Sequence, residues 1–439
     1  MKKKLFMFVL FAFGLLLVPS VDAAAKEPVY EKDNNLFFAN GTAITIKARA
    51  DEEAGATIVW DGGSVDVAAN VSVFGGSHNS DDIIENVSIT MNGGTVKNIL
   101  GGGLHKSIVE RASIVMNNGT VSGSIMGGGA HHFHRTADGD FVDSSVAKAK
   151  SRDTAVTIVD ETNVTVNGGT ISGAVWGGGE SYSYTGKATV TINAGKTDYV
   201  VVGGSNGYTG EAALTVNGGE INVVQGVNRG EMDTITTVIN GGKIGTVYAG
   251  GEPMNNPPSD VVNGGVNGSI ELTVVGGEIG AIKAGTSGGV NSPATDLVNL
   301  KVNSSFADKI DDSFAADNTI VTVNVTFTSG NESLTEQLPK GTKFNTEQLK
   351  ELYDTINSQL AEDGLKLVGF YLDADLTDEF DFSTPIEEDI ELFLKVEELK
   401  NNEEIKNPET SDINVIALIS LIALGTVGLG YTVKKRKFN

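Results

Sequence analysis

A phrase built on Asn-Gly-Gly returns along residues 55–290 at a nearly constant spacing, and a fixed period in the twenties leaves few folds open. Val87-Ser88-Ile89-Thr90-Met91-Asn92-Gly93-Gly94 aligns with Val164-Thr165-Val166-Asn167-Gly168-Gly169, Leu214-Thr215-Val216-Asn217-Gly218-Gly219 and Thr237-Val238-Ile239-Asn240-Gly241-Gly242. The residue before the glycines falls at Asp61, Asn92, Asn117, Asn167, Asn193, Asn217, Asn240 and Val275. The steps are 31, 25, 50, 26, 24, 23 and 35, so the basic period is about 24. Longer steps are that period with an insertion, or in one case a doubled period. A second phrase follows about eight residues later, as in Ile99-Leu100-Gly101-Gly102-Gly103, Val175-Trp176-Gly177-Gly178-Gly179 and Val247-Tyr248-Ala249-Gly250-Gly251.

Each unit alternates apolar and polar residues over four to six positions and is rich in Val, Ile and Thr, which is a strand signal. Asn-Gly and Gly-Gly tolerate positive φ at corners. The pattern predicts a mainly β protein, a right-handed parallel β-helix with two or three strands per coil. Eight or nine coils at ~4.8 Å would make a rod of roughly 40 Å. Asn-Gly is also the strongest short hairpin signal, so an antiparallel arrangement competes. Two different Gly phrases in fixed order favour the solenoid. The region resembles the Gly-rich solenoids of bacterial adhesins and of some polysaccharide-active enzymes, a likeness of architecture that names no activity.

The two ends give an address. Lys2-Lys3-Lys4, an apolar run from Leu5 to Val18, and the small-residue sites Val21-Asp22-Ala23 and Ala23-Ala24-Ala25 predict a secretory signal over residues 1–25. Residues 413–433 carry no charge and are long enough for a helix of roughly 31 Å, about one hydrocarbon core. Residues 434–439 contain four basic groups, which favour the cytoplasmic side. Before the span stand Asn407, Pro408, Glu409, Thr410 and Ser411 in a motif region 407–412. Motif, span and basic tail together resemble the sortase substrates of Gram-positive bacteria, with Pro408 and Thr410 at the matching positions of Leu-Pro-x-Thr-Gly. That resemblance implies cleavage between Thr410 and Ser411 by a sortase and transfer to a peptidoglycan precursor. It implies an exported, wall-anchored protein that meets the membrane only transiently through 413–433. A retained membrane anchor is the alternative.

The chain has no cysteine, so neither disulfides nor thiol chemistry enter. Its net charge is −24, and the expected leader and tail remove more basic than acidic groups. Nucleic acid is therefore not an expected partner.

Candidate sites fall in insertions, since loops on a repeat scaffold carry recognition. The largest, about 130–155, contains His131, His132 and His134 beside Asp138 and Asp140. Imidazoles with carboxylates are candidates for a divalent ion, though ligands so close in sequence rarely converge on one ion. A polar loop is the plainer reading, and no cofactor is expected. A second insertion spans 252–268 and holds Pro253, Pro257 and Pro258. Tyr182 and Tyr184 follow a Gly triplet, on what reads as a loop. Exposed there, they would stack on sugar rings, or would simply shield the solenoid edge. Trp60 and Trp176 sit in strand registers, Trp176 packed on a neighbouring coil. No nucleophile elbow, zinc helix or phosphate loop is present.

The phrases stop after Ser304. Residues 319–398 carry an alternating strand from Thr319 to Phe327 and a helical stretch over 346–362, with Thr346 as the expected cap. Gly369-Phe370-Tyr371, Phe380-Asp381-Phe382 and a closing strand to Val396 follow. These resemble the internalin-type B-repeat, or Listeria–Bacteroides repeat, which implies a small β-grasp-like α+β module serving as spacer or weak interaction domain. Residues 26–54 are left as a cap of the solenoid, 55–304 as its repeats and 399–406 as a linker. The expected function is a cell-surface adhesin-like protein for a glycan or protein ligand. A structural spacer is the first rival and a β-helix carbohydrate-active enzyme the second.

Overall fold

A computed structural model describes residues 26–399, apart from 52, 79–81, 131–151, 181–182, 206, 229, 254–264, 287–293, 331 and 362–363. The expected leader, the segment 407–439, His131, His132, His134 and Tyr182 lie outside the described residues. No helix among the described residues is long and apolar enough to cross a membrane.

The protein is mainly β. The chain alternates between a broad sheet of 15 strands and a narrow sheet of 12. One circuit shows the rule. Thr157–Val166 lies in the broad sheet, Asn167-Gly168-Gly169 turns the corner, and Thr170–Trp176 lies in the narrow sheet. Gly177-Gly178-Gly179 then returns the chain to Ser183–Ile192, which pairs parallel with Thr157–Val166. The period is therefore one coil. Among the described residues, nine broad-sheet strands follow in parallel from Ile44–Lys47 to Val298–Asn303.

In-register pairing stacks like on like. Ile46, Met91, Met116, Val166, Ile192, Val216, Ile239, Val274 and Val302 form one interior column, each 2 % exposed or less. Val73, Ile99, Ile125, Val175, Val200, Val224, Val247 and Ile282 form a facing column in the narrow sheet, all fully buried. Burying each such side chain contributes about 1.5–3 kcal/mol, so apolar stacking replaces the missing disulfides.

The two corners need glycine for different reasons. At the first, the last glycine of each phrase has positive φ, from +81° at Gly94 to +113° at Gly119. At the other, Gly75, Gly101, Gly127 and Gly177 lie where a Cβ would meet the next coil; at Gly127 it would stand 2.2 Å from the Gly177 carbonyl.

The first corner also carries a side-chain ladder. Asn117 Nδ2 donates to Asn92 Oδ1 at 2.8 Å, and the same bond links Asn167 to Asn117, Asn193 to Asn167, Asn217 to Asn193 and Asn240 to Asn217 at 2.8–2.9 Å. Val275 occupies the next position, where no amide can extend the row. Asn193→Ala removes two such bonds at an exposed corner. We expect a loss of about 1 kcal/mol, read from the denaturant midpoint at unchanged slope.

Three expectations need correction. The 50-residue step is not a doubled period: Ile114 pairs directly with Val164, so one coil carries the whole insertion. Asp61 does not turn a coil. Gly55–Trp60 and Gly63–Ala68 pair antiparallel about Asp61-Gly62, a hairpin that lies on Ile44–Lys47 and covers the end of the broad sheet. There the hairpin signal wins, because the strand after the turn finds the strand before it rather than a coil below. Thr346 is not the helix cap. Asn345 Oδ1 accepts from the amides of Glu347 and Gln348 at 3.0 and 2.9 Å, and Gln348 Oε1 accepts from the Asn345 amide, a reciprocal capping box.

The coils end in a continuous join. Ser304–Lys309 is a 3-10 turn and Ile310 bridges Ile282 at the end of the narrow sheet. Thr319–Ser329 then pairs parallel with Val298–Asn303 through Thr319–Thr322, and with Ile390–Glu398 further along. Glu332–Pro339 and Leu365–Tyr371 complete a four-strand unit. The helix Thr346–Leu360 buries Leu352, Ile356 and Leu360 in a second core with Phe370, Phe382 and Leu392. Gly369-Phe370-Tyr371 and Phe380-Asp381-Phe382 meet there, the rings of Phe370 and Phe382 standing 5.1 Å apart edge to face.

Candidate binding face

The broad-sheet strands carry two outward residues in succession, Glu110 and Arg111, Asp160 and Glu161, Gly186 and Lys187. Strict alternation puts neighbours on opposite faces, so each strand bends at this point. The bend makes a long crease across the coils. Along its floor Asp160, Gly186, Gly210 and Asp233 follow in register. Two of the four carry no side chain. A Cβ at Gly186 would meet the Asp160 carbonyl at 2.6 Å, and one at Gly210 would meet the Gly186 carbonyl at 2.4 Å. Bare backbone is thus required at both positions, Gly186 half-buried and Gly210 buried.

One wall of the crease is aromatic. Tyr184 pairs with Tyr208 across two coils, with ring centroids 5.5 Å apart and planes within 4°. The Tyr208 hydroxyl donates to Asp233 Oδ2 at 2.6 Å, which fixes the ring at one end of the pair. Burial, and then that carboxylate, push the Tyr208 hydroxyl well above its ordinary pKa, so it stays a donor at neutral pH. At the other end Arg152 forks onto Asp160 through Nε and Nη2 at 3.0 and 3.1 Å. The Asp160 hydrogen bond raises the guanidinium further, and the nearby Tyr184 adds to it.

The opposite wall is a row of alternating charge, Arg111, Glu161, Lys187 and Glu211, in register on consecutive coils. Arg111 Nε donates to Asn86 Oδ1 at 3.0 Å. On the side of this row away from the tyrosines lies a shallow groove of about 430 Å3, lined by Arg111, Ser113, Glu161, Asn163, Lys187 and Thr189 among others. Aromatic faces on one side and hydrogen-bonding groups on the other suit a ligand with both apolar C–H faces and many hydroxyls.

Of the candidate residues from the sequence, Tyr184 is here. It stands within the strand Ser183–Ile192 rather than on a loop, and it is half-buried against Tyr208 rather than free. Its partners Tyr208, Asp233 and Arg152 were not singled out. The spacing held a signal: Tyr208 lies one period after Tyr184, and Asp233 a further period on. Trp60 packs beside Phe37 with ring centroids 6.0 Å apart, and Trp176 sits against the small core of Phe38, Phe74, Leu100 and Met126. Among the described residues no group of three His, Cys, Asp or Glu side chains is placed to hold a metal ion.

The crease gives no carboxylate pair for glycoside hydrolysis along its floor. Asp160 and Asp233 are three strands apart, roughly 14 Å by strand spacing. That exceeds the ~6.5–9.5 Å of an inverting pair. Each is also engaged, Asp160 by Arg152 and Asp233 by Tyr208. No family model matches this chain, and no curated protein or solved structure matches it either.

Proposed function

We propose that the protein is a cell-surface binding module that presents the Tyr184–Tyr208 crease to a glycan. On this reading the stacked coils are a right-handed β-helix, the usual sense for parallel crossovers. The unit at 319–398 is a β-grasp-like spacer of the B-repeat kind. Export through residues 1–25 and sorting at Asn407-Pro408-Glu409-Thr410-Ser411 would place the body outside a Gram-positive wall, its span 413–433 crossing the membrane only before sorting. The observation that supports binding is the stacked tyrosine pair beside a floor of bare backbone, held at both ends by buttressed carboxylates.

A structural spacer is favoured by a different observation. Some outward charges satisfy one another: Lys196 pairs with Glu220 at 3.3 Å and Lys243 with Glu278 at 3.6 Å across neighbouring coils. Such exposed pairs contribute little stability each, but the paired groups are turned to each other rather than to a ligand.

A glycan array probed with residues 26–406, with mass spectrometry of the spotted sugars, separates the readings. Specific retention of unchanged sugars is the expected result. Shortened or unsaturated sugars would turn the assignment to a carbohydrate-active enzyme, and no retention would leave a protein ligand or a spacer. For a retained sugar, Tyr208→Ala is expected to weaken binding about tenfold, since a stacked ring contributes about 0.5–1.5 kcal/mol beyond its buried area, that area is lost as well, and the ring orients Tyr184. Surface plasmon resonance on the retained sugar checks it.

A further inference from the structure

A second concave site lies on the other sheet. Tyr248 ends the narrow-sheet strand Lys243–Tyr248, in register with Lys283 on the next coil. The Lys283 ammonium stands 5.8 Å from the centre of the Tyr248 ring. A cleft of about 390 Å3 opens beside them, lined also by Pro253, Thr286, Asp311 and Ser313. Gly285 keeps it open: its φ is +71°, and a Cβ there would press within 3.2 Å of the Tyr248 ring.

The surroundings are fixed and acidic. The Glu252 amide donates to Oε1 of the buried Gln225 at 2.9 Å. Asp311 is held by its amide on the Ile282 carbonyl at 3.1 Å, and its carboxylate accepts from the Ser313 amide at 3.1 Å. Ser313 Oγ in turn accepts from the Ala284 amide at 3.0 Å. The negative field is visible on both nearby phenols. Glu252 is the largest cause of a raised Tyr199 pKa, and burial followed by Glu252 and Asp311 raises Tyr248. An aromatic face beside the Asp311 carboxylate is chemistry for a cation. Lys283 shows where that cation sits.

The geometry points to a binding site for a protonated amino sugar: the ammonium of a hexosamine takes the place of Lys283 in the cleft that Asp311 lines, and the apolar face of the ring lies on Tyr248. At about 390 Å3 the cleft has room for a small saccharide. Thr286 supplies a hydroxyl on its wall. A net charge of −24 draws a cationic ligand towards the protein in general, so a test must separate this cleft from bulk attraction.

The full chain in mild detergent at physiological salt is titrated calorimetrically with a glucosamine disaccharide, with its N-acetylated counterpart and with a lysine tripeptide. The free-amine disaccharide is expected to bind at least tenfold more tightly than the other two. Tyr248→Ala, which leaves the charge unchanged, should lose that binding at least tenfold, while Tyr248→Phe retains it. Lys283→Met should strengthen it several-fold by vacating the slot. Equal binding of both disaccharides, binding of neither, a tripeptide as tight as the sugar, an indifferent Tyr248→Ala or a weakened Lys283→Met would each overturn the assignment. Circular dichroism of Tyr248→Ala against the parent separates loss of the ring from loss of the fold.

Discussion

Gly127→Val is expected to abolish folding of the coils around it. The added Cβ would stand 2.2 Å from the Gly177 carbonyl and 2.7 Å from Thr162 Cβ. Neither neighbour has room to give. Gly177 belongs to the next coil's own corner, and the Gly127 amide is bonded to the Trp176 carbonyl at 2.9 Å. Ordinary overpacking of a core costs about 1–3 kcal/mol because side chains can rearrange. Here backbone meets backbone, so separating two coils is the only relief, and that exposes both interior columns. In a repeat array each unit is stabilised mainly by its neighbours, so such a break divides the stack. Gly330→Ala is the contrast. That glycine has φ +61° with nothing within 4 Å of a Cβ, so the change should cost only about 1–2 kcal/mol of backbone strain. Circular dichroism melts and soluble yield measure both. A Gly127→Val variant that melts like the parent would show that the corner is looser than these distances allow.

Phe370→Ala should remove about 3–5 kcal/mol from the C-terminal unit. Phe370 is 1 % exposed, and its ring meets Phe327, Tyr353 and Phe382 at 5.8, 5.6 and 5.1 Å. The apolar core around it shares no residue with the core of the coils. Two cores joined by one sheet should therefore separate under this change. We expect a two-step calorimetric melt, with the second step near the parent temperature. Limited proteolysis should clear residues beyond about 325 while the coils persist. One joint transition, displaced as a whole, would show that the shared strand Thr319–Ser329 couples the two units into a single cooperative body.

Much of the fold was legible because strands stacked in parallel register write their long-range contacts into a local period. Residues aligned by phrase, such as Asn167, Asn193 and Asn217, turned out to be in direct contact. That is the physical meaning of the 24-residue step: identical positions on successive coils stack. The same property shows where reading failed. Asp61-Gly62 has the chemistry of a coil corner and of a hairpin, and only the partner of the following strand decides between them. The candidate face was half legible. Tyr184 drew notice for its ring, but its surroundings come from the coil above, the coil below and Arg152, which reaches Asp160 from outside the strand. Aligning the chain on the Asn-Gly-Gly corner hid the second register at the bend. The cleft beside Tyr248 depends on Asp311, which belongs to the segment that closes the coils and carries no repeat signal. The join at Thr319–Thr322 was equally silent, because the pairing of one edge strand with another leaves no pattern in either.

That join sets how the molecule would yield to a pull on its C-terminal end. Thr319–Ser329 is both the first strand of the terminal unit and the neighbour of the last coil. Tension would open its bonds to Val298–Asn303 one after another, and only then reach the coil beneath. Each coil freed in this way pays out some 24 residues, roughly 80 Å of extended chain at ~3.4 Å per residue, where it had occupied ~4.8 Å of the stack. Like thread from a spool, the chain would lengthen in steps, with the remaining turns still closed on themselves.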